Sequence, residues 1–445
     1  MSNKREIDLS DKTFKDAYDA ISSPFRENIF ITGGAGTGKS LLLKSYYERL
    51  KTNNFNVAVV SPTGVSSSLL SENGVPAKTI HSLFLLPPHQ IFEKKIDMSK
   101  ERRWLFKKLD YLLIDEVSML SPSLFDHMMW MLNELKFKGN IIIFGDIMQL
   151  SPVVNFNDDD VLNYYISQGY VKAHSDIPQF YNSKAYKALN FKPYVLDKIY
   201  RQKDSSFASI LSRIRMGEET DDDLNIINSR VMSLNEYNRE HQSHLYLTSL
   251  NRRVERINFE YNRSFDGKPY MEYTSKGVGS LSDVKEETIR IYEDQQVICT
   301  HNNSAEGYQN GTLGMVIGLD DDSVLIETPN GEHLSVQREK WSDYKITYNS
   351  ETHEVTVDEI GSLHQIGCKP AYAITIHKSE GMTLDNVYLD ISSSYMPKSG
   401  IYLALSRIRS LDGLGLSRPI RHSDIKVDKN VKEFYLNLMD QNKGI

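Results

Sequence analysis

Hydrophobic positions fall into short continuous runs, broken by glycine-rich or polar turns and by stripes at helical spacing. The stretch NIFIT at Asn28–Thr32 reads as a strand, GGAGTG as a tight turn, and Leu42, Leu43, Tyr46, Tyr47 and Leu50 as the apolar face of a following helix. Further runs at Val57–Val60, Tyr111–Ile114 and Ile141–Phe144 suit strands buried on both faces of a parallel sheet. Ser121 and Pro122 form a helix start, and the stripe Leu124, Met128, Met131, Leu132 and Leu135 behind them is expected to be core rather than a cofactor box. A second α/β pattern begins near Tyr194. Helical periodicity at Phe207, Ile210, Leu211 and Ile214 stops at Gly217, an acidic first turn at Asp221–Asp223 opens another helix, and LYLTSL leads into a helix from Asn251. Between 286 and 354 the texture is short β runs with QNG and PNG turns, after which AYAITI, VYLDI and GIYLALSRIRS restore the α/β pattern. The expected division is a first α/β domain over 1–190 with a short insertion about 66–88, a second over 191–285 and 355–445, and a β-rich insert between.

A length of 445 residues implies about three domains. With 25 % charged and 40 % hydrophobic residues, the composition excludes a disordered or collagen-like chain. Cys299 and Cys368 are too few for a disulfide framework or a four-thiolate zinc site. No apolar run approaches the roughly 20 residues of a membrane span, and MSNKREIDLS lacks a signal-peptide core; a cytoplasmic protein without a membrane partner is expected, of prokaryotic or phage origin. The balance of 52 basic against 59 acidic residues, a net −7, gives no global electrostatic case for nucleic acid, so any polyanion must be gripped locally.

Gly33–Ser40, GGAGTGKS, satisfies G-x-x-x-x-G-K-S/T directly after a strand and at the opening of a helix. The side-chain-free Gly34, Gly36 and Gly38, with Ala35 and Thr37 between them, allow backbone N–H groups to close on phosphates at a helix N-terminus. Lys39 is placed to neutralise the β/γ-phosphates and Ser40 to hold Mg²⁺. Asp115 and Glu116 end the strand LDYLLID, at the sheet edge where α/β ligands bind; Asp115 is the expected Mg²⁺-side ligand and Glu116 the general base for the attacking water. These residues define an NTP-binding P-loop domain, and kinases, transporters and motors all remain open.

Eight segments that follow in order narrow the choice: SPTGVSSSLL from Ser61, TIHSLF from Thr79, IDEVSML from Ile114, FGDIMQLSPV from Phe144, IYRQ from Ile199, LTSLNRRVERIN from Leu247, AITIHKSEGMTLD from Ala373 and YLALSRIRS from Tyr402. Together they resemble the motifs of superfamily 1B helicases, and most closely the Pif (petite integration frequency) family, across roughly residues 29 to 415. RecD-like enzymes and small phage helicases are neighbours in the same superfamily. The resemblance implies two RecA-like α/β domains with parallel sheets, an SH3-like β insert in the second, and a monomer that uses ATP and Mg²⁺. It implies 5′-to-3′ travel on single-stranded DNA and unwinding of duplex or G-quadruplex junctions. It assigns Gln149 to sensing the γ-phosphate, Arg201 and Arg407 to arginine fingers reaching over from the second domain, and Gly381 to a backbone approach to the nucleotide. For DNA it points to Pro62, Thr63, Val65, His81, Pro152, Val153, Asn251, His377 and Ser379. None of these is a lysine or arginine, which suits a groove that grips one strand by hydrogen bonds and stacking.

Two departures stand out. No Gln precedes Gln90, although relatives commonly read adenine with a glutamine before the P-loop, and the motif often written HKSQG is HKSEG here, with Glu380. A wedge to split duplex is expected around Leu83–His89, with Phe84 and Pro87; without one, the alternative is a DNA-stimulated translocase that does not separate strands.

Overall fold

The computed structural model describes residues 11–21, 27–87, 89–200, 205–240, 245–282, 287–303, 305–328, 331–349, 351–352, 354–393 and 395–443. By their contacts they form two compact units. One comprises Met1–Asp223, Pro397–Ser410 and His422–Ile445; the other comprises Leu224–Met396 and Leu411–Arg421.

The first unit is built on six parallel strands: β1 (Ile29–Gly33), β2 (Val57–Ser61), β3 (Lys78–Thr79), β4 (Tyr111–Ile114), β5 (Asn140–Gly145) and β6 (Lys192–Leu196). Their spatial order is β3-β2-β4-β5-β1-β6. Residues of β1 alternate between two cores, Ile29 and Ile31 packing with Leu42, Leu43 and Tyr46 on one face, Phe30 with Phe125 and Phe180 on the other. Burial on both faces is why these strands read as unbroken apolar runs. The Met-rich helix Pro122–Glu134 is capped by Ser121, whose side chain accepts from Leu124 N, and its Met128 and Met131 lie in that second core.

The limits of this unit differ from the periodicity-based ones. Strand β6 pairs in register with β1, Ile31 opposite Tyr194, so the chain beyond 190 still belongs to the first sheet. The helices Gly400–Ser406 and Lys429–Lys443 also belong here: the former is buried throughout, and the latter lays Val431, Tyr435 and Leu438 into the core. The expected insertion is largely regular structure, a helix over Gly64–Glu72, strand β3 and a short helix over Ile80–Phe84. Phe84 is in the core, so it cannot act as a wedge, whereas Leu85 and Pro87 are exposed.

In the second unit, four parallel strands lie in the spatial order Ala373–Thr375, Leu245–Thr248, Val387–Asp390 and Leu414–Leu416. Between the first two of these in space, the chain makes an antiparallel excursion. A sheet of seven strands runs from Lys276–Gly279 to Cys368–Pro370, and a separate hairpin pairs Tyr270–Thr274 with Thr288–Tyr292. The β-rich region is thus wider than 286–354. No helix among the described residues is long and apolar enough to cross a membrane.

Candidate nucleotide and DNA site

The strand order sets the carboxyl ends of β1, β5 and β4 side by side, with Thr32 opposite Gly145 and Ile114 opposite Ile143. The loops leaving those ends carry GGAGTGKS, the Asp146–Gln149 turn and the Asp115–Glu116 pair. Gly36 and Gly38 have φ of +78° and +92°. Gly38 caps the helix Lys39–Thr52 without a side-chain hydrogen bond, and a Cβ there would lie 3.0 Å from the Phe14 ring. The helix therefore presents bare N–H donors, the arrangement that binds phosphate. Lys39 Nζ donates to the carbonyls of Gly33 and Gly34, both at 2.9 Å, and Ser40 is exposed beside it.

Asp115 is buried, and its carboxyl is pushed up from the ordinary range by burial and then by the charge of Glu116; Lys39 opposes the shift. A cation at this point favours the ionised form. Glu116 sits at φ +48°, a left-handed conformation uncommon outside glycine, and Gly145 makes room for the turn, since a Cβ there would come within 3.0 Å of Val117 N. Glu116 Oε2 and Gln149 Oε1 are buried without hydrogen-bond partners among the described residues, as suits groups that meet a water or substrate atom. No cluster of three or more His, Cys, Asp or Glu that could hold a metal occurs among those residues. A Mg²⁺ ion here would rely on Ser40, Asp115 and the nucleotide's own phosphates, its usual mode.

Asp146 is a hub. Arg215 Nε and Nη2 donate to its Oδ1 at 3.0 and 2.7 Å, Met148 N donates to the same oxygen at 3.1 Å, and Gln149 Nε2 donates to Oδ2 at 3.3 Å. The hydroxyl of Tyr402 donates to Oδ2 at 2.7 Å and accepts from Ala35 N at 2.8 Å. Burial would raise the Asp146 carboxyl, but Arg215, Lys39 and these donors hold it below the usual range. Tyr435 covers Arg215, with the guanidinium carbon 4.2 Å from the ring centroid. Sequence reading missed Asp146, Arg215, Tyr402 and Tyr435 as site residues. One signal existed: Phe207, Leu211 and Arg215 are spaced four apart, so Arg215 falls on the apolar face of its helix, where a charge needs a buried partner.

The other expected residues divide by unit. Arg201 lies outside the described residues. Arg407, expected on the second domain, is in the first unit, buried at the end of its helix, where Nη2 donates to Ser406 Oγ at 3.0 Å. The reason is that its helix is tied to the P-loop and Asp146 through Tyr402. Pro62, Thr63, Val65, His81 and Pro152 are half-buried in the first unit, and Val153 is 77 % exposed there. Thr63 caps the helix Gly64–Glu72, its hydroxyl accepting from Ser66 N. Asn251, His377, Ser379 and Gly381 are in the second unit. Asn251 is exposed and Gly381 has φ +84°, but Ser379 is buried with its hydroxyl donating to Ile376 O, so it is turned away from any ligand. Burial pulls the imidazoles of His81 and His377 down, leaving both neutral at pH 7. Glu380 is buried.

A P-loop at the end of β1, a carboxylate pair at the end of β4 and a second parallel sheet in the other unit define a P-loop NTPase with two RecA-like α/β units. A sequence model of the PIF1-like helicase family matches residues 8–225. The ATP-dependent DNA helicase Pif1 of Campylobacter jejuni is 27 % identical over 92 % of this chain and 94 % of that protein. Pif1 helicase from Bacteroides superposes with a TM-score of 0.80 in complex with ADP-AlF3 and single-stranded DNA, and 0.79 bound to single-stranded DNA; both share 26 % identity and cover 98 % of each chain. Over nearly its whole length the chain is thus similar to Pif1 helicases, and its first half matches the PIF1-like helicase family.

Proposed function

We propose that the chain is an ATP-dependent DNA helicase that moves 5′-to-3′ along single-stranded DNA and unwinds duplex or G-quadruplex DNA. The observation that carries this reading is the alignment of the ends of β1, β5 and β4, which gathers phosphate donors, a carboxylate pair and the Gln149 turn. In it, Lys39 and the N–H groups of the P-loop bind the phosphates, while Ser40 and Asp115 hold Mg²⁺. When bound, Mg²⁺ neutralises charge on the β- and γ-phosphoryl oxygens. Glu116 takes the proton of the attacking water, Gln149 registers the γ-phosphate, and Arg407 and Arg201 supply guanidinium to the charge that develops there. Gly381 offers its backbone to the nucleotide. Pro62, Thr63, Val65, His81, Pro152, Val153, Asn251 and His377 grip a single strand, uncharged contacts that fit a net charge of −7.

The test is unwinding of matched 5′-tailed and 3′-tailed duplexes with ATP and Mg²⁺. Release of strand from the 5′-tailed substrate alone is expected. ATP turnover stimulated by DNA but without strand release would replace the helicase by a translocase. Turnover indifferent to single-stranded DNA would overturn the motor reading altogether.

A further inference from the structure

The geometry points to Tyr402 as a positioning residue for ATP hydrolysis, acting through Asp146 to fix which face of the Gln149 amide meets the nucleotide; this rests on the assignment of Gln149 above. Hydrogen-bond polarity fixes the direction of each contact. Ala35 N–H can only donate, so the Tyr402 oxygen must accept from it, and the phenolic proton is left to point at Asp146 Oδ2. Burial raises the phenol's pKa, so that proton stays in place at working pH. Oδ1 of Asp146 is filled by Arg215 and Met148 N. Oδ2 is left for two donors, Tyr402 and Gln149 Nε2.

An ionised carboxylate accepts and cannot donate. The Gln149 amide must therefore turn its nitrogen to Asp146 and keep its oxygen for whatever else it meets. That oxygen, Oε1, is the atom with no hydrogen-bond partner among the described residues. A carbonyl oxygen repels phosphate oxygens and accepts from O–H groups. The free face of Gln149 accordingly registers the γ-phosphate through a proton of the attacking water that lies against it, and not by direct contact with the phosphoryl oxygens. Tyr402 keeps this arrangement rigid and ties it to the P-loop, because one hydroxyl touches both Asp146 and Ala35. The phenol engages a single P-loop N–H group, that of Ala35, so its loss should affect chemistry more than nucleotide binding.

The test combines Tyr402→Phe with Gln149→Ala, alone and together, measuring DNA-stimulated kcat, KM for ATP and binding of a fluorescent ADP. Tyr402→Phe is expected to lower kcat about 10-fold with KM and ADP affinity changed by less than about threefold, as fits a misplaced catalytic group. In the Gln149→Ala background, the same change should cost no more than about twofold, because the group that it positions is gone. Unchanged kcat in Tyr402→Phe, effects that multiply in the double variant, or loss of ADP binding together with kcat would each overturn the inference. Normal kcat in Gln149→Ala alone would instead show that the assignment of Gln149 has failed, and the inference with it.

Discussion

Replacing Arg215 by Met removes one partner of an ion pair in which the side chains are 6 % and 0 % exposed. The carboxylate of Asp146 would then stay buried with only Tyr402, Met148 N and Gln149 as donors, and Tyr435 would lose its cation. Breaking such a pair from one side costs about 3–5 kcal/mol, a large part of the roughly 5–15 kcal/mol that holds a domain folded. With a urea slope of about 2.5 kcal/mol per molar, the midpoint of the first unit should fall by about 1–2 M. Trp104 and Trp130 report on that unit once Trp341 is changed to Phe, so intrinsic fluorescence in the Trp341→Phe background isolates the transition. Adding Asp146→Asn should recover at least half of the loss, because a neutral amide does not need the cation. The pH dependence carries a sign. With Arg215 present, the carboxyl is held down, so its charge contributes stability above the unfolded pKa near 4 and loses it as pH falls through the lower folded value. Without Arg215, burial raises the carboxyl, protonation relieves the strain, and the deficit against wild type should shrink from pH 8 to pH 5. A loss under about 1 kcal/mol, or a midpoint lowered further by Asp146→Asn, would refute the reasoning.

Lys39→Ala should reduce ATP turnover by about 10²–10³-fold and stop unwinding while circular dichroism stays native, since the lysine is half-buried at the helix start and its ammonium donates to two carbonyls of its own loop, those of Gly33 and Gly34. Glu116→Gln should lower kcat by about 10²–10⁴-fold and leave ATP affinity intact, measured in a single-turnover assay; weakened binding with normal kcat would deny it the role of base. Asp390 is the counterpart in the second unit: burial alone would raise its carboxyl, but hydrogen bonds from Ser392, Tyr246 and Arg253 hold it down to about 2. Its contribution is present above about pH 4 and lost as pH falls toward 2, so Trp341 fluorescence in a Trp104→Phe, Trp130→Phe background should show Asp390→Asn less sensitive to acid between pH 5 and 3 than the same background with Asp390.

What was legible in the sequence is what is local. A strand, a glycine turn and a helix are consecutive, so GGAGTGKS and the carboxylates after LDYLLID could be placed from spacing alone. The Met stripe declared itself as core by its period. What could not be read depends on pairing across hundreds of residues. Nothing in KPYVL says that it lies beside Ile29–Gly33 in the first sheet, and nothing in GIYLALS says that its tyrosine reaches Ala35. Single side chains failed for a related reason. Phe84 looked like a wedge because a short apolar segment does not state which of its residues turns inward, and Ser379 looked like a DNA contact until its hydroxyl was seen to bond its own helical turn.

Asp146, Arg215, Tyr402 and Tyr435 come from four distant parts of the chain and meet behind one P-loop residue. Stability alone does not account for that, because a buried ion pair can commonly be replaced by packed hydrophobic groups without loss. An apolar plug, though, would have no preferred hydrogen-bond direction. The carboxylate does: it can only accept, so each neighbour must present a donor, and this orients the Gln149 amide and the Tyr402 proton together. The cost of burying the charge is met by Arg215, and what is gained is a defined orientation at the atoms next to the phosphate loop. The C-terminal helices therefore belong to the nucleotide site as much as the P-loop does, since the segments that carry Tyr402 and Tyr435 complete the surroundings of Ala35 and Arg215.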